Sequence, residues 1–273
     1  MNLGERKFLN VGCGDIFIDS PEWINIDWAP KNRKIMKANL LQPLKFPDQT
    51  FDLIYTSHFV EHISREKLNA FLLEMKRLLK VGGILRIAVP DFEFLTRKYI
   101  NLIDSFEYEK SQFITTQILD QCVRKRSGGS IPDWYSRASK NPELLKFIKE
   151  VNGHRFNPRV ISLNSGTVIF EKMLDLRKVY GKLKKFYIRS VLKLLPDSFV
   201  ETQVSLTEPG ENHAWVYDFF YLRNNLQEAG FSSVMKMSAS TSNLIDFPYK
   251  SLDTDSLEIP IKGEETMFIE AIR

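Results

Sequence analysis

The chain lacks what several protein classes require. Its 273 residues include two cysteines, Cys13 and Cys122, too few for a disulfide framework, so a reducing cytoplasm is the expected location. No apolar run approaches the roughly 18 residues of a membrane span, and no signal peptide precedes the first strand. Nothing repeats, and no segment is of low complexity. A strong charge of one sign is also missing: 38 basic residues face 34 acidic ones, for a net +4. The excess is local. Between Lys172 and Lys193 eight basic residues stand against Asp175 alone, a local +7 that leaves −3 for the rest of the chain. A patch of this kind, without a stacking aromatic array, is no nucleic-acid footprint, and no nucleic acid is expected as partner. What the chain has is 43% hydrophobic residues, enough for one large domain or one domain with a substantial insertion.

The first informative stretch is Leu9-Asn10-Val11-Gly12-Cys13-Gly14-Asp15, a strand that runs straight into a Gly-x-Gly turn. Two closely spaced glycines let the backbone turn sharply and approach a ligand. Trp23 to Asp27 reads as a second strand ending on a carboxylate, placed to hold a ribose. Lys34 to Leu40 is a weaker strand candidate, and Thr50 to Thr56 a further strand. Ser64 stands as the cap of a helix whose Leu68, Phe71, Leu72, Met75, Leu78 and Leu79 follow helical spacing, with Gly82-Gly83 as its expected end. Ile84 to Val89 is nearly continuous apolar sequence, as for a strand buried on both faces of a parallel sheet.

This alternation predicts a doubly wound, mostly parallel α/β sheet of the Rossmann-like kind, with its ligands at the carboxyl ends of the strands. Residues 92–212 break the rhythm. Helical pieces at 92–106, 112–126 and 142–151 alternate there with irregular stretches such as Arg126 to Ser130. Regular order returns with a helix over 217–229 and two strands, 233–237 and 266–272. Residues 1–91 and 213–273 thus read as the cofactor-binding domain, and 92–212 as a largely helical insertion after the fifth strand, a lid that selects substrate.

A dinucleotide fingerprint would need a third glycine where Phe17 stands and an acid about 20 residues on, whereas Asp27 comes 13 residues after Gly14. A cofactor with a ribose and no pyrophosphate fits better. His58-Phe59-Val60-Glu61-His62 matches the inverted zincin pattern, which makes a zinc hydrolase an alternative reading. That chemistry needs a long helix, and here the motif abuts a strand, so no metal ligands are assigned.

Asn10 to Gly14, Asn25-Ile26-Asp27, Leu44 to Tyr55, Val60-Glu61-His62 and Val81-Gly82-Gly83 together resemble the class I S-adenosylmethionine-dependent methyltransferases of the type 11 sort. Glu228 to Phe231 and Met267 to Ala271 are similar to that family's last helix and last strand. The resemblance implies a seven-stranded sheet and S-adenosylmethionine as cofactor, held by Asn10, Val11, Gly12, Cys13, Gly14, Asp27, Trp28, Asn39, Leu40, Ser57 and His58. Within that set the glycine turn would face the methionine portion, Asp27 would take both ribose hydroxyls, and Asn39-Leu40 would lie by the adenine. The family commonly has an acid where Asn10 stands and a third glycine where Ile16 stands.

Methyl transfer to a hydroxyl is an in-line displacement that gains from alignment and from a base. His58, Asp91 and His213 are the candidate bases, with His154 a further one. The resemblance implies oxygen methylation of a small-molecule or sugar-type acceptor, as in polysaccharide pathways, and a non-catalytic cofactor-binding scaffold is the other alternative. Residues 177–195 would form a cationic amphipathic helix, suited to peripheral contact with an anionic membrane or a phosphorylated acceptor, or else docked on the domain by its apolar side.

Overall fold

A computed structural model describes residues 6–153, 186–188, 190–207 and 210–273. His154 and most of the basic segment, through residue 185 and again at 189, lie outside these residues. Among the described residues no helix is long and apolar enough to cross a membrane.

The sheet has seven strands: β1 (Phe8–Val11), β2 (Trp23–Asp27), β3 (Met36–Lys37), β4 (Phe51–Ser57), β5 (Leu79–Pro90), β6 (Ser233–Met237) and β7 (Thr266–Ile272), in the order β3-β2-β1-β4-β5-β7-β6. All are parallel except β7, which pairs antiparallel with both β5 and β6. Order reverses at β1, which lies between β2 and β4, and this switch opens a crevice at the carboxyl edge.

Helix α1 (Arg65–Leu78) buries Leu68, Phe71, Leu72, Met75 and Leu78 against the sheet, all on the stripe its periodicity predicts. Helix α7 (Phe219–Glu228) contributes Leu222 and Leu226 to the same core. It starts two residues later than its pattern suggests, because the Asp218 carboxylate accepts from Tyr221 N and fixes the cap there.

Gly82-Gly83 do not end α1. The helix stops at Leu78, and Leu79 is already extended and paired with Phe51. The two glycines lie inside β5, where the register moves from Phe51–Leu79 to Leu53–Ile84. A Cβ on Gly83 would stand 2.9 Å from the Lys80 carbonyl, so the glycines serve an excursion of the strand. The predicted strand over 34–40 is cut to two residues.

After β5 the chain forms α2 (Phe92–Asp104), α3 (Tyr108–Val123), α4 (Ile131–Ala138) and α5 (Pro142–Asn152), and later α6 (Asp197–Gln203). Phe113, Trp134, Leu144, Phe147, Ile148 and Val151 bury one another in a core separate from that of the sheet. The chain returns at Tyr217, which forms a parallel bridge with Asp91, so the inserted segment leaves and re-enters the sheet's edge at one point.

A polar network lies under β4, β5 and β7. Arg86 is fully buried and donates to Asp253 at 3.0 Å, to Glu270 at 2.9 Å and to the carbonyls of Thr241 and Ser238. Tyr55 Oη donates to Asp253 at 2.6 Å, and Lys262 Nζ lies 2.5 Å from the same carboxylate. The register places Tyr55, Arg86 and Glu270 side by side across three strands, and their charges tie segment 238–262 to the sheet.

Candidate functional site

The carboxyl edge of β1, β2 and β4 opens into a cavity of about 500 Å³, lined by Gly12, Gly14, Asp27, Trp28, Leu40 and His58 among others. Gly12 (φ +67°) follows β1 directly, and its N–H donates to the Ile26 carbonyl at 3.0 Å. A Cβ there would come within 2.6 Å of the Phe59 ring, so the missing side chain lets Phe59 pack over the turn. Gly14 (φ +55°) has nothing within 4 Å of its Cβ position and faces open space. Asp27 Oδ2 accepts from Gly14 N at 2.9 Å and Oδ1 from Ala29 N at 2.8 Å. Each carboxylate oxygen keeps a second acceptor position for a ligand hydroxyl.

The other residues named from the sequence stand behind this wall. Asn10 is 1% exposed and donates to the Ile16 carbonyl and to Asn25 Oδ1, which fixes the loop after the turn. Val11 is fully buried, and Cys13 nearly so, its thiol pushed up to about 12 mainly by that burial. Asn39 Oδ1 accepts from Leu41 N in a local turn, which sets Leu40 in the cavity wall. Ser57 lines a neighbouring cavity instead.

That second cavity, about 240 Å³, is lined by Ser57, Asn152, Lys262, Glu265 and Thr266, and His58 belongs to both. His58 adopts a left-handed backbone (φ +49°), fixed by its N–H donating to the Ala88 carbonyl at 2.8 Å. Its Nδ1 lies 3.2 Å from Glu61 Oε1, and its Nε2 3.3 Å from Thr266 Oγ1. Burial pushes the Glu265 carboxyl up to about 7, with His58 pulling it down and Glu61 adding to the rise. Glu265 is missing from the residues named from the sequence. A signal for it existed: an antiparallel last strand begins at the carboxyl edge of its parallel neighbours, so the residue just before Thr266 must fall there.

Asp91 is 3% exposed and engaged on both oxygens. Oδ1 accepts from Phe94 N at the start of α2, and Oδ2 from Lys236 Nζ at 2.7 Å. His213 lies away from this second cavity. Its N–H donates to the Gln121 carbonyl, its ring centroid is 5.0 Å from that of His62, and burial pushes its pKa down to about 4. The zincin-like motif forms a three-residue 3-10 turn, Val60–His62, with His58 outside it, so no helical face presents His58 and His62 together.

Comparison with known proteins bears on this arrangement. Residues 16–87 match the family model described as a methyltransferase domain. That match covers about a quarter of the 273 residues. A curated relative, the ribosomal RNA large subunit methyltransferase K/L of Magnetococcus marinus, is 27% identical over 111 residues, covering 32% of this chain. The match spans only 15% of that relative's length. A solved SAM-dependent methyltransferase from Archaeoglobus fulgidus aligns at 15% identity with TM-score 0.40, covering 99% of this chain and 87% of that one. Another, from Mesorhizobium loti, aligns at 12% identity with TM-score 0.36, covering 99% and 92%.

The residues around the first cavity fit S-adenosylmethionine. The cavity volume falls in the range of ligand pockets. It combines an acid at the end of β2, bare backbone at Gly14, and apolar surface from Trp28, Leu40 and Ile63 suited to an adenine ring.

Proposed function

We propose that this chain is a methyltransferase that moves the methyl group of S-adenosylmethionine to an oxygen of a small-molecule or sugar-containing acceptor. The observation that carries the reading is the position of His58, on the shared wall of the cofactor cavity and a second, polar cavity. The cofactor supplies an activated methyl carbon. Asp27 would hold its ribose, Gly12 and Gly14 would let the backbone lie against its methionine portion, and Trp28 and Leu40 would flank its adenine.

In this reading the acceptor enters the smaller cavity, whose Ser57, Asn152, Glu265 and Thr266 offer the hydrogen-bonding partners a polyol needs. His58 takes the hydroxyl proton at its Nε2, the nitrogen nearer Thr266, while Glu61 beside Nδ1 favours the imidazolium that forms. Asp91 positions: it caps α2 and pairs with Lys236. The inserted segment 92–212 serves as the substrate-selecting lid, and its α5 contributes Asn152 to the acceptor cavity.

The test is methyl transfer from labelled cofactor to a panel of hydroxylated and sugar acceptors. His58→Ala should lower the rate by about 10²–10⁴-fold, with cofactor affinity changed only a few-fold. A variant as fast as the native chain on a good acceptor would remove His58 from the chemistry.

A further inference from the structure

We propose that Glu61, His62 and His213 form a binding site for one divalent first-row transition-metal cation, with zinc as the species to test. One ligand atom from each of the three lies within 4.8 Å of the others. Ligands of a tetrahedral zinc ion stand about 3.3 Å apart, given bonds of about 2.0–2.2 Å. Closure therefore asks for side-chain adjustments on the order of an ångström and no backbone movement.

Glu61 is the independent sign of a missing ligand. It is 1% exposed, yet neither carboxylate oxygen is met by a hydrogen-bond donor among the described residues. His58 Nδ1 stands 3.2 Å from Oε1 without the geometry of a hydrogen bond. A buried carboxylate faced only by the His58 ring is costly, and a bound cation is one of the few things that offsets it.

The imidazoles are set for coordination. His62 Nδ1 lies 2.8 Å from the Asn212 carbonyl; donating there leaves the Nε2 lone pair free, the usual arrangement behind a metal-bound histidine. The segment that carries His213 is clamped on the 3-10 turn, since Ala214 N and Trp215 N both donate to the Glu61 carbonyl, at 2.7 and 3.2 Å. His213 N is anchored to the Gln121 carbonyl on α3. The ligands thus come from two distant chain segments already held together by backbone hydrogen bonds. Arg124 approaches this cluster, but its Nε lies 3.4 Å from Asp120 Oδ2 within an ion pair.

Two imidazoles and one carboxylate are a ligand set for zinc or iron that leaves a position open. His62 also lines the cofactor cavity. On the methyltransferase reading, on which this role rests, the cation would stand at the wall of the cofactor cavity and, through Glu61, beside the His58 imidazole.

The test uses the full chain, free of affinity tags and stripped with a chelator. Zinc is titrated by calorimetry, and cobalt by its visible ligand-field bands. The native chain should take up one equivalent, and His62→Ala, His213→Ala and Glu61→Gln should each weaken uptake by about 100-fold or more, with unchanged far-ultraviolet circular dichroism. Native uptake no greater than that of a folded His62→Ala/His213→Ala double variant would overturn the site. If that variant does not fold, native protein that gives neither stoichiometric zinc heat nor cobalt bands overturns it equally. S-adenosylhomocysteine binding in the same stripped protein separates the two claims. Binding retained with no metal uptake removes only the cation site, while binding lost in folded protein counts against the methyltransferase reading.

Discussion

Gly12 and Gly14 share one turn and a left-handed backbone, yet the structure predicts unequal costs for giving each a side chain. Alanine at either position pays about 1–2 kcal/mol for its φ. At Gly14 that is the whole cost, because nothing lies within 4 Å of the new methyl. At Gly12 the methyl would meet Phe59 Cγ and Cδ2 at 2.6 Å and Cβ at 2.9 Å. Phe59 packs on Phe71 at a ring separation of 5.7 Å and on the core of the sheet, so it cannot swing away freely. Overpacking of this kind adds about 1–3 kcal/mol, and Gly12→Ala should lose about 2–5 kcal/mol in total. Urea unfolding of both variants measures the difference. A Phe59→Ala background should return part of the Gly12→Ala loss, a coupling of about 0.5–3 kcal/mol. Equal losses at the two glycines, with no coupling to Phe59, would refute the account of this turn.

Three further outcomes follow from the same geometry. Arg86→Met removes the one guanidinium that pairs with both buried carboxylates, Asp253 and Glu270, and should cost about 3–5 kcal/mol of stability; a loss under 1 kcal/mol in urea unfolding would show that Tyr55 and Lys262 on Asp253, and Ser242 and Asn243 on Glu270, suffice. Glu265 goes from an ordinary 4.5 in the unfolded chain to about 7 in the folded one. Between those values the native state keeps a proton that the unfolded chain has released, so its contribution to stability falls as pH rises through this window and stays flat above it, by at most about 3 kcal/mol. Glu265→Gln should flatten that slope, and an unchanged difference between urea midpoints at pH 5 and pH 8 would contradict the assignment. Asp218→Ala should lower stability by about 1 kcal/mol through loss of the cap on α7, read as a small fall in melting temperature; no change would mean that another donor partner takes over the cap.

The sheet was legible because its signals are local. β1, β2 and β5 are short apolar runs, α1 carries a clean stripe, and the turn after β1 is spelled by two glycines. The end of α1 is not legible in the sequence, because Gly82-Gly83 looks the same in a helix terminus and in a strand excursion; the pairing of Leu79 with Phe51 decides between them. Of the residues expected at the cofactor, Gly12, Gly14, Asp27, Trp28, Leu40 and His58 line one cavity, while Asn10 and Cys13 support it from beneath. What sequence could not give is what long-range folding brings together. Arg86 with Asp253 joins residues far apart in the chain, as does Glu61 with His213. Glu265 owes its raised pKa to burial, which no local pattern encodes.

The central claim is that the turn after β1 and the acid after β2 hold S-adenosylmethionine. Calorimetry with S-adenosylmethionine and S-adenosylhomocysteine, on the native chain and on Asp27→Ala, tests it most directly. The account predicts that both ligands bind the native chain at one site. Asp27→Ala should weaken them by on the order of 100-fold, the loss of two charge-assisted hydrogen bonds of about 1.5 kcal/mol or more each. Because Asp27 also accepts from Gly14 and Ala29, a melt of the free variant confirms that it is folded. No binding of either ligand to the native chain, or equal binding to a folded Asp27→Ala, would contradict the account.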